Sequence, residues 1–124
     1  MSEVEILAMR ACRVYDGESK KETIMGSIQI RRMEAEDRSE VAELICASTN
    51  HWYQVRGGAA AFPAGPEATA VFFDVYEAMD PGCGLVAENT DTGRLMGSCF
   101  YHPRPLHCSL GIMNVHPNYS GRGV

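Results

Sequence analysis

Apolar residues recur along this chain with two different periods, and the switches between them mark out its elements. From Ser27 to Met33 the period is two: Ile28 and Ile30 fall on one side and Gln29 and Arg31 on the other, which predicts a half-buried strand. Glu34-Ala35-Glu36-Asp37 then places acidic side chains where a helix begins, and Val41, Ala42, Leu44, Ile45 and Ser48 follow at helical spacing. This helix is expected to end near Thr49-Asn50. His51 to Pro66 breaks every period and reads as a loop, with Trp52 and Tyr53 either a lid over a site or plugs of the core. Between Glu67 and Met79, residues Ala68, Phe72, Val75, Tyr76 and Met79 share one face of a second helix, which Asp80-Pro81-Gly82 closes.

The second half returns to strands. Leu85 to Glu88 and Arg94 to Tyr101 flank the turn residues Asn89 to Gly93 and predict a hairpin, with Leu95, Gly97, Cys99 and Tyr101 on one face. His102-Pro103-Arg104-Pro105 is a stiff connection, since each proline fixes its own φ and restricts its predecessor. Leu106 to Val115 is a further strand, and Pro117 stops it. At the other end, Val4, Leu7, Ala8, Ala11, Cys12 and Tyr15, with Ser2 and Glu5 spaced as a capping box, predict a short helix; a flexible leader is the competing reading. The expected organisation is an extension over 1–27 and a domain over 28–124.

Composition narrows the class. A chain of 124 residues has room for one core, and 45% hydrophobic with 22% charged residues is ordinary for a globular domain. A net charge of −5 and a pI near 5.3 argue against a nucleic-acid footprint, which needs clustered Lys and Arg, and are compatible with an amine partner. Five cysteines without Cys-x-x-Cys spacing, behind no apolar leader, predict reduced thiols in a cytoplasm and no metal site. Cys99 and Cys108 read as small buried hydrophobes. The apolar runs are far too short for a membrane span.

The chemistry concentrates at the end. After the apolar run Leu110 to Val115, the segment His116-Pro117-Asn118-Tyr119-Ser120-Gly121-Arg122-Gly123-Val124 offers two glycines one residue apart, whose conformational freedom lets consecutive N–H groups converge on a phosphate. The order strand, helix, helix, strand, strand, strand, phosphate loop resembles the GCN5-related N-acetyltransferases. Ile30-Arg31-Arg32-Met33 with Glu36-Asp37, the turn Asp91-Thr92-Gly93, and Leu95-Met96-Gly97 are similar to that family's opening strand, hairpin turn and following strand. The family's signature is Gln or Arg, two residues, Gly, one residue, then Gly or Ala; this chain matches at Gly121 and Gly123 and has Asn118 at the first position.

The resemblance implies an α+β fold, a mostly antiparallel sheet with flanking helices, whose C-terminal part lies beyond these residues. The chain is then a fragment of an acetyltransferase or a shortened relative. It implies acetyl-CoA as cofactor, held by Met113, Val115, Asn118, Gly121, Arg122, Gly123 and Val124, and a small-molecule or peptide amine as acceptor. Trp52, Tyr53, Tyr101 and Arg104 are the expected acceptor-lining residues. His107, His116 and Glu88 are candidate general bases, the histidines against the commoner reading of a packed or solvent-facing side chain. A non-catalytic CoA-binding or oligomerisation module is the alternative. The last strand is expected to be an edge that self-associates, through a symmetric dimer or an exchanged segment, or that residues 2–15 cover.

Overall fold

The computed structural model describes residues 23–25 and 27–124. Five strands form one antiparallel sheet in chain order: β1 (Thr23–Met25), β2 (Ile28–Arg32), β3 (Gly84–Asn89), β4 (Leu95–Pro103) and β5 (Cys108–Val115). Two helices, α1 (Arg38–Gln54) and α2 (Ala70–Met79), form the connection from β2 to β3. Both lie against one face of the sheet, where Met33, Val41, Ile45, Phe73, Val86, Leu95 and Phe100 make the core and Phe72, Tyr76 and Ile112 pack around it. Phe100 is the centre of this packing: it is 1% exposed and stacks on Tyr76 with ring centroids 4.9 Å apart.

The entry to α1 is fixed by charge. Glu34 donates its amide to Asp37 Oδ2 at 2.8 Å, across a 3-10 turn over Ala35–Asp37. Arg31 grips both oxygens of Asp37 at 2.7 and 2.8 Å and reaches Glu88 with Nε at 2.7 Å, joining β2, β3 and the start of α1. Burial works to raise the Asp37 carboxyl, yet the Arg31 bonds and the Glu34 amide together hold it below the usual carboxylate range.

Several elements differ from their sequence-based expectation. Helix α1 runs one turn past Asn50, to Gln54. Residues 51–54 contain neither Gly nor Pro, and Asn50, a poor helix former, is held by tertiary bonds: its Oδ1 accepts from the Phe62 amide at 2.8 Å and its Nδ2 donates to the Phe62 carbonyl at 3.2 Å. Trp52 and Tyr53 therefore stand on a helix, and the loop proper begins after them. On α2, the inward face is Ala70 and Phe73 with Phe72 and Tyr76, whereas Val75 and Met79 of the expected stripe, and Val71, point outward. The helix begins at Ala70 because Thr69, fully buried, donates its hydroxyl to the Ala42 carbonyl at 2.6 Å and so sets the helix phase. β4 continues through Pro103, so His102 is part of the sheet, and the turn to β5 carries the exposed Leu106. The expected helix over residues 2–15 lies outside the described residues.

One irregularity in β5 shapes everything beyond it. Cys99 pairs with Met113 but Tyr101 pairs with Leu110, so β5 carries one extra residue at this point, a β-bulge around Gly111 and Ile112. A Cβ on Gly111 would stand 2.9 Å from His102 Nε2, 3.1 Å from the Tyr76 ring and 3.2 Å from Phe100 Cβ. These neighbours are held in place, since Tyr76 stacks on Phe100 and His102 Nδ1 is 2.6 Å from Asp80 Oδ2. Gly111→Ala should therefore cost about 1–3 kcal/mol by overpacking, read as a lower urea midpoint at unchanged m-value.

Candidate functional site

β5 borders a cleft of about 500 Å³. Ser48, Thr49, His51, Trp52, Tyr53, Val55 and Arg56 form the wall from α1 and the residues after it, and Met113, Asn114, Val115, Pro117 and Ser120 the opposite side. A hydrogen bond closes its floor, Asn114 Nδ2 to Ser48 Oγ at 2.6 Å, so Asn114 faces the helices while Met113 and Val115 face away.

Strand β5 has β4 on one side and, among the described residues, no strand on the other. Which of its backbone groups are free follows from the pairing. The His116 amide donates to the Met96 carbonyl at 2.8 Å, and antiparallel bonding alternates, so Asn114 bonds to Ser98 while Met113 and Val115 turn N–H and C=O to the open edge. From the hairpin end, Arg104 donates to the His107 carbonyl at 2.8 Å, and the same counting turns Leu110 outward.

Beyond β5 the chain forms a 3-10 turn over Pro117–Tyr119, capped by His116 Nδ1, which accepts from the Asn118 amide at 3.1 Å. Tyr119, Ser120 and Arg122 also spend their amides within the turn. Gly121 and Gly123 follow with φ of 77° and 80°, a conformation that other residues adopt only with strain. The amides of Gly121, Gly123 and Val124 make no hydrogen bond among the described residues. The loop's end is seated on the face away from the helices: Gly97 lacks a Cβ, and the Val124 side chain comes within 3.3 Å of where one would be.

The structure brings four of the expected residues into one cleft, Trp52 and Tyr53 from α1 with Met113 and Val115 from β5. Gly121, Arg122, Gly123 and Val124 continue from its rim, and Asn118 has its amide engaged by His116. Other expected residues lie elsewhere. Tyr101 is 3% exposed and hydrogen-bonded to Cys83, and Arg104 pairs with Asp80 at 2.9 Å. Glu88 is bound to Arg31 at 2.7 Å, the His116 Nδ1 is occupied as a cap, and His107 sits in the exposed turn before β5. Arg104 first, and His102 second, hold the Asp80 carboxyl below the usual range. Burial pushes the Cys99 thiol up to about 11, which fits its reading as an inert packed group.

Ser48, His51 and Arg56 are among the cleft residues that sequence reasoning missed. Arg56 follows Trp52 by four positions, a spacing that puts a cation over an aromatic ring once the helix is known to reach that far. Its guanidinium carbon is 4.0 Å from the Trp52 ring centroid. Among the described residues no His, Cys, Asp and Glu side chains cluster as a metal site, and no helix is long and apolar enough to cross a membrane.

No protein-family model matches the chain, and no curated protein matches it. Solved structures do. A putative acetyltransferase from Pyrococcus horikoshii superposes with a TM-score of 0.66 at 18% identity, over 86% of this chain and 34% of its own. A GCN5-related N-acetyltransferase from Sphaerobacter thermophilus gives 0.57 at 19%, over 88% of this chain and 31% of its own. A GNAT-family acetyltransferase from Brucella melitensis, solved in complex with acetyl-CoA, gives 0.54 at 18%, over 78% of this chain and 60% of its own. The chain thus spans about a third of the first two proteins and under two thirds of the third. Helices α1 and α2, the antiparallel sheet and the loop after β5 together have the fold of the GCN5-related N-acetyltransferases, over part of its length.

Proposed function

We propose that the cleft binds acetyl-CoA and that the protein, or the larger protein to which these residues belong, transfers its acetyl group to a primary amine by direct attack. The observation that carries this reading is the junction of an open strand edge with a loop of unengaged glycine amides, beside a cleft, in an acetyltransferase fold. The residues fit the cofactor. Gly121, Gly123 and Val124 have free N–H groups, and no atom lies within 4 Å of a Cβ built on either glycine, so the backbone is accessible to a pyrophosphate.

Acetyl-CoA supplies, when bound, an acetyl thioester open to attack by an amine. The chain's part is mostly main chain. Met113 and Val115 present the edge groups that pair with an extended amide-bearing arm, as a further strand would. An N–H of the same edge is the donor for the carbonyl oxygen as negative charge develops there. Arg122 complements phosphate charge. His51 supplies an imidazole to the lining of the cleft and takes the amine proton in this reading, while the acetyl group's former thiolate leaves as CoA; His107, His116 and Glu88 have the surroundings described above.

The second reading is a module that binds CoA without turnover, which the same open edge and glycine loop would serve. One experiment separates the two: calorimetric titration with acetyl-CoA, followed by release of free thiol with a panel of primary amines. Amine-dependent thiol release is the expected result. Binding without release with any amine would establish the module, and no binding would end both readings.

A further inference from the structure

The charge of the cleft is opposite to that of the chain. The net charge is −5, yet no Asp or Glu lines the cleft, and Arg56 is its one permanent charge. Arg31, Arg38, Arg94 and Arg104 each meet a carboxylate; Arg56 makes no ion pair among the described residues. Its guanidinium lies over Trp52 and donates from Nη1 to the Trp52 carbonyl at 3.0 Å, which holds the group against the wall at little further entropy cost on binding. Trp52 and Tyr53 meet edge to face at 4.9 Å and remain 51% and 46% exposed, which leaves aromatic surface beside the guanidinium for a ring to stack on.

The end of α1 carries a partial negative charge that opposes an anion. That charge is already answered: Val55 donates to the His51 carbonyl, Arg56 and Gly58 to Tyr53, Gly57 to Gln54, and the Arg56 side chain to Trp52. The full charge on Arg56 therefore sets the sign of this wall.

Resting on the acetyl-transfer reading of the cleft, we propose that its acceptor is an amine bearing both a carboxylate and an aromatic body, as an aromatic amino acid does. The carboxylate meets Arg56, and the ring lies on Trp52 and Tyr53. The net charge of the chain points to a cationic partner; the local charge of the cleft selects an acceptor that also carries an anion.

Trp52 is the single tryptophan of the chain, so its emission reports occupancy of the cleft without any turnover. N-acetylphenylalanine and N-acetylphenethylamine differ only in the carboxylate. The acid should bind about tenfold more tightly than the neutral compound, and Arg56→Gln should bring the ratio of the two affinities close to one. Equal affinities, a preference for the neutral compound, or a preference that survives Arg56→Gln would overturn the proposal. Phenylalanine and phenethylamine are then compared as acceptors in the thiol-release assay, where the variant should lower kcat/KM for phenylalanine alone. If neither amine releases thiol while the emission titration keeps its Arg56-dependent preference, acetyl transfer fails and the carboxylate site stands. If turnover occurs with no carboxylate preference in either measurement, the site fails and acetyl transfer stands.

Discussion

Replacing Arg31 by methionine should destabilise the fold by about 3–5 kcal/mol, the range for leaving a buried charge without its partner. Asp37 and Glu88 both lose their cation, and Asp37, whose side chain is 11% exposed, keeps only the Glu34 amide as compensation. In the wild type the Asp37 carboxyl lies below its unfolded value, so its contribution is fully present above the ordinary carboxylate range and is lost as pH falls through the folded value. Without Arg31 the sign reverses. Burial, the largest influence on this carboxyl, then outweighs the remaining Glu34 amide and raises it, and the variant should gain stability as acid protonates Asp37. Urea denaturation of both proteins over a range of acidic pH tests this, with Arg31→Met combined with Asp37→Asn as the partner experiment. A variant whose midpoint tracks the wild type at every pH would show that the triad contributes nothing. The effect reaches function because these bonds aim α1, whose far end is a wall of the cleft.

The second large effect is expected at the glycine loop. Gly121→Val combined with Gly123→Val should weaken acetyl-CoA binding by about 100-fold or more, since two or three charge-assisted bonds are lost together. Both positions have positive φ, which a β-branched residue adopts only as an outlier, so the backbone must turn its amides away. No atom lies within 4 Å of either added Cβ, so the change stays local, and the urea midpoint should move little. Calorimetry gives the first quantity and denaturation the second. Wild-type affinity in this variant would defeat the assignment of the loop.

Much of the architecture was legible because the local signals were unopposed. Ile28 and Ile30 set β2, the acidic run at Glu34 to Asp37 set the helix entry, and Pro117 with the two glycines set the loop. The misreadings have a common cause in contacts between distant residues. Asn50 reads as a helix end until Phe62 folds back on its side chain, and α2 is phased by the Thr69 bond to Ala42 rather than by its most apolar stripe. His102 reads as part of a stiff connection because its partner, Asp80, is 22 residues away. The backbone part of the site was legible and much of the side-chain part was not: Met113, Val115 and the glycines are identified by strand and loop alone, whereas Arg56 enters only through the extra turn of α1.

The bulge in β5 also bears on how this edge behaves in a crowded solution. An unbroken edge strand is a template on which copies of a chain add strand upon strand. Here Leu110 and Met113 turn their backbone outward three residues apart instead of two, so an incoming straight strand that matches one side of the bulge is out of step on the other. A flexible ligand arm can bend around that step. A regular β-strand that follows one side of the bulge loses its register on the other.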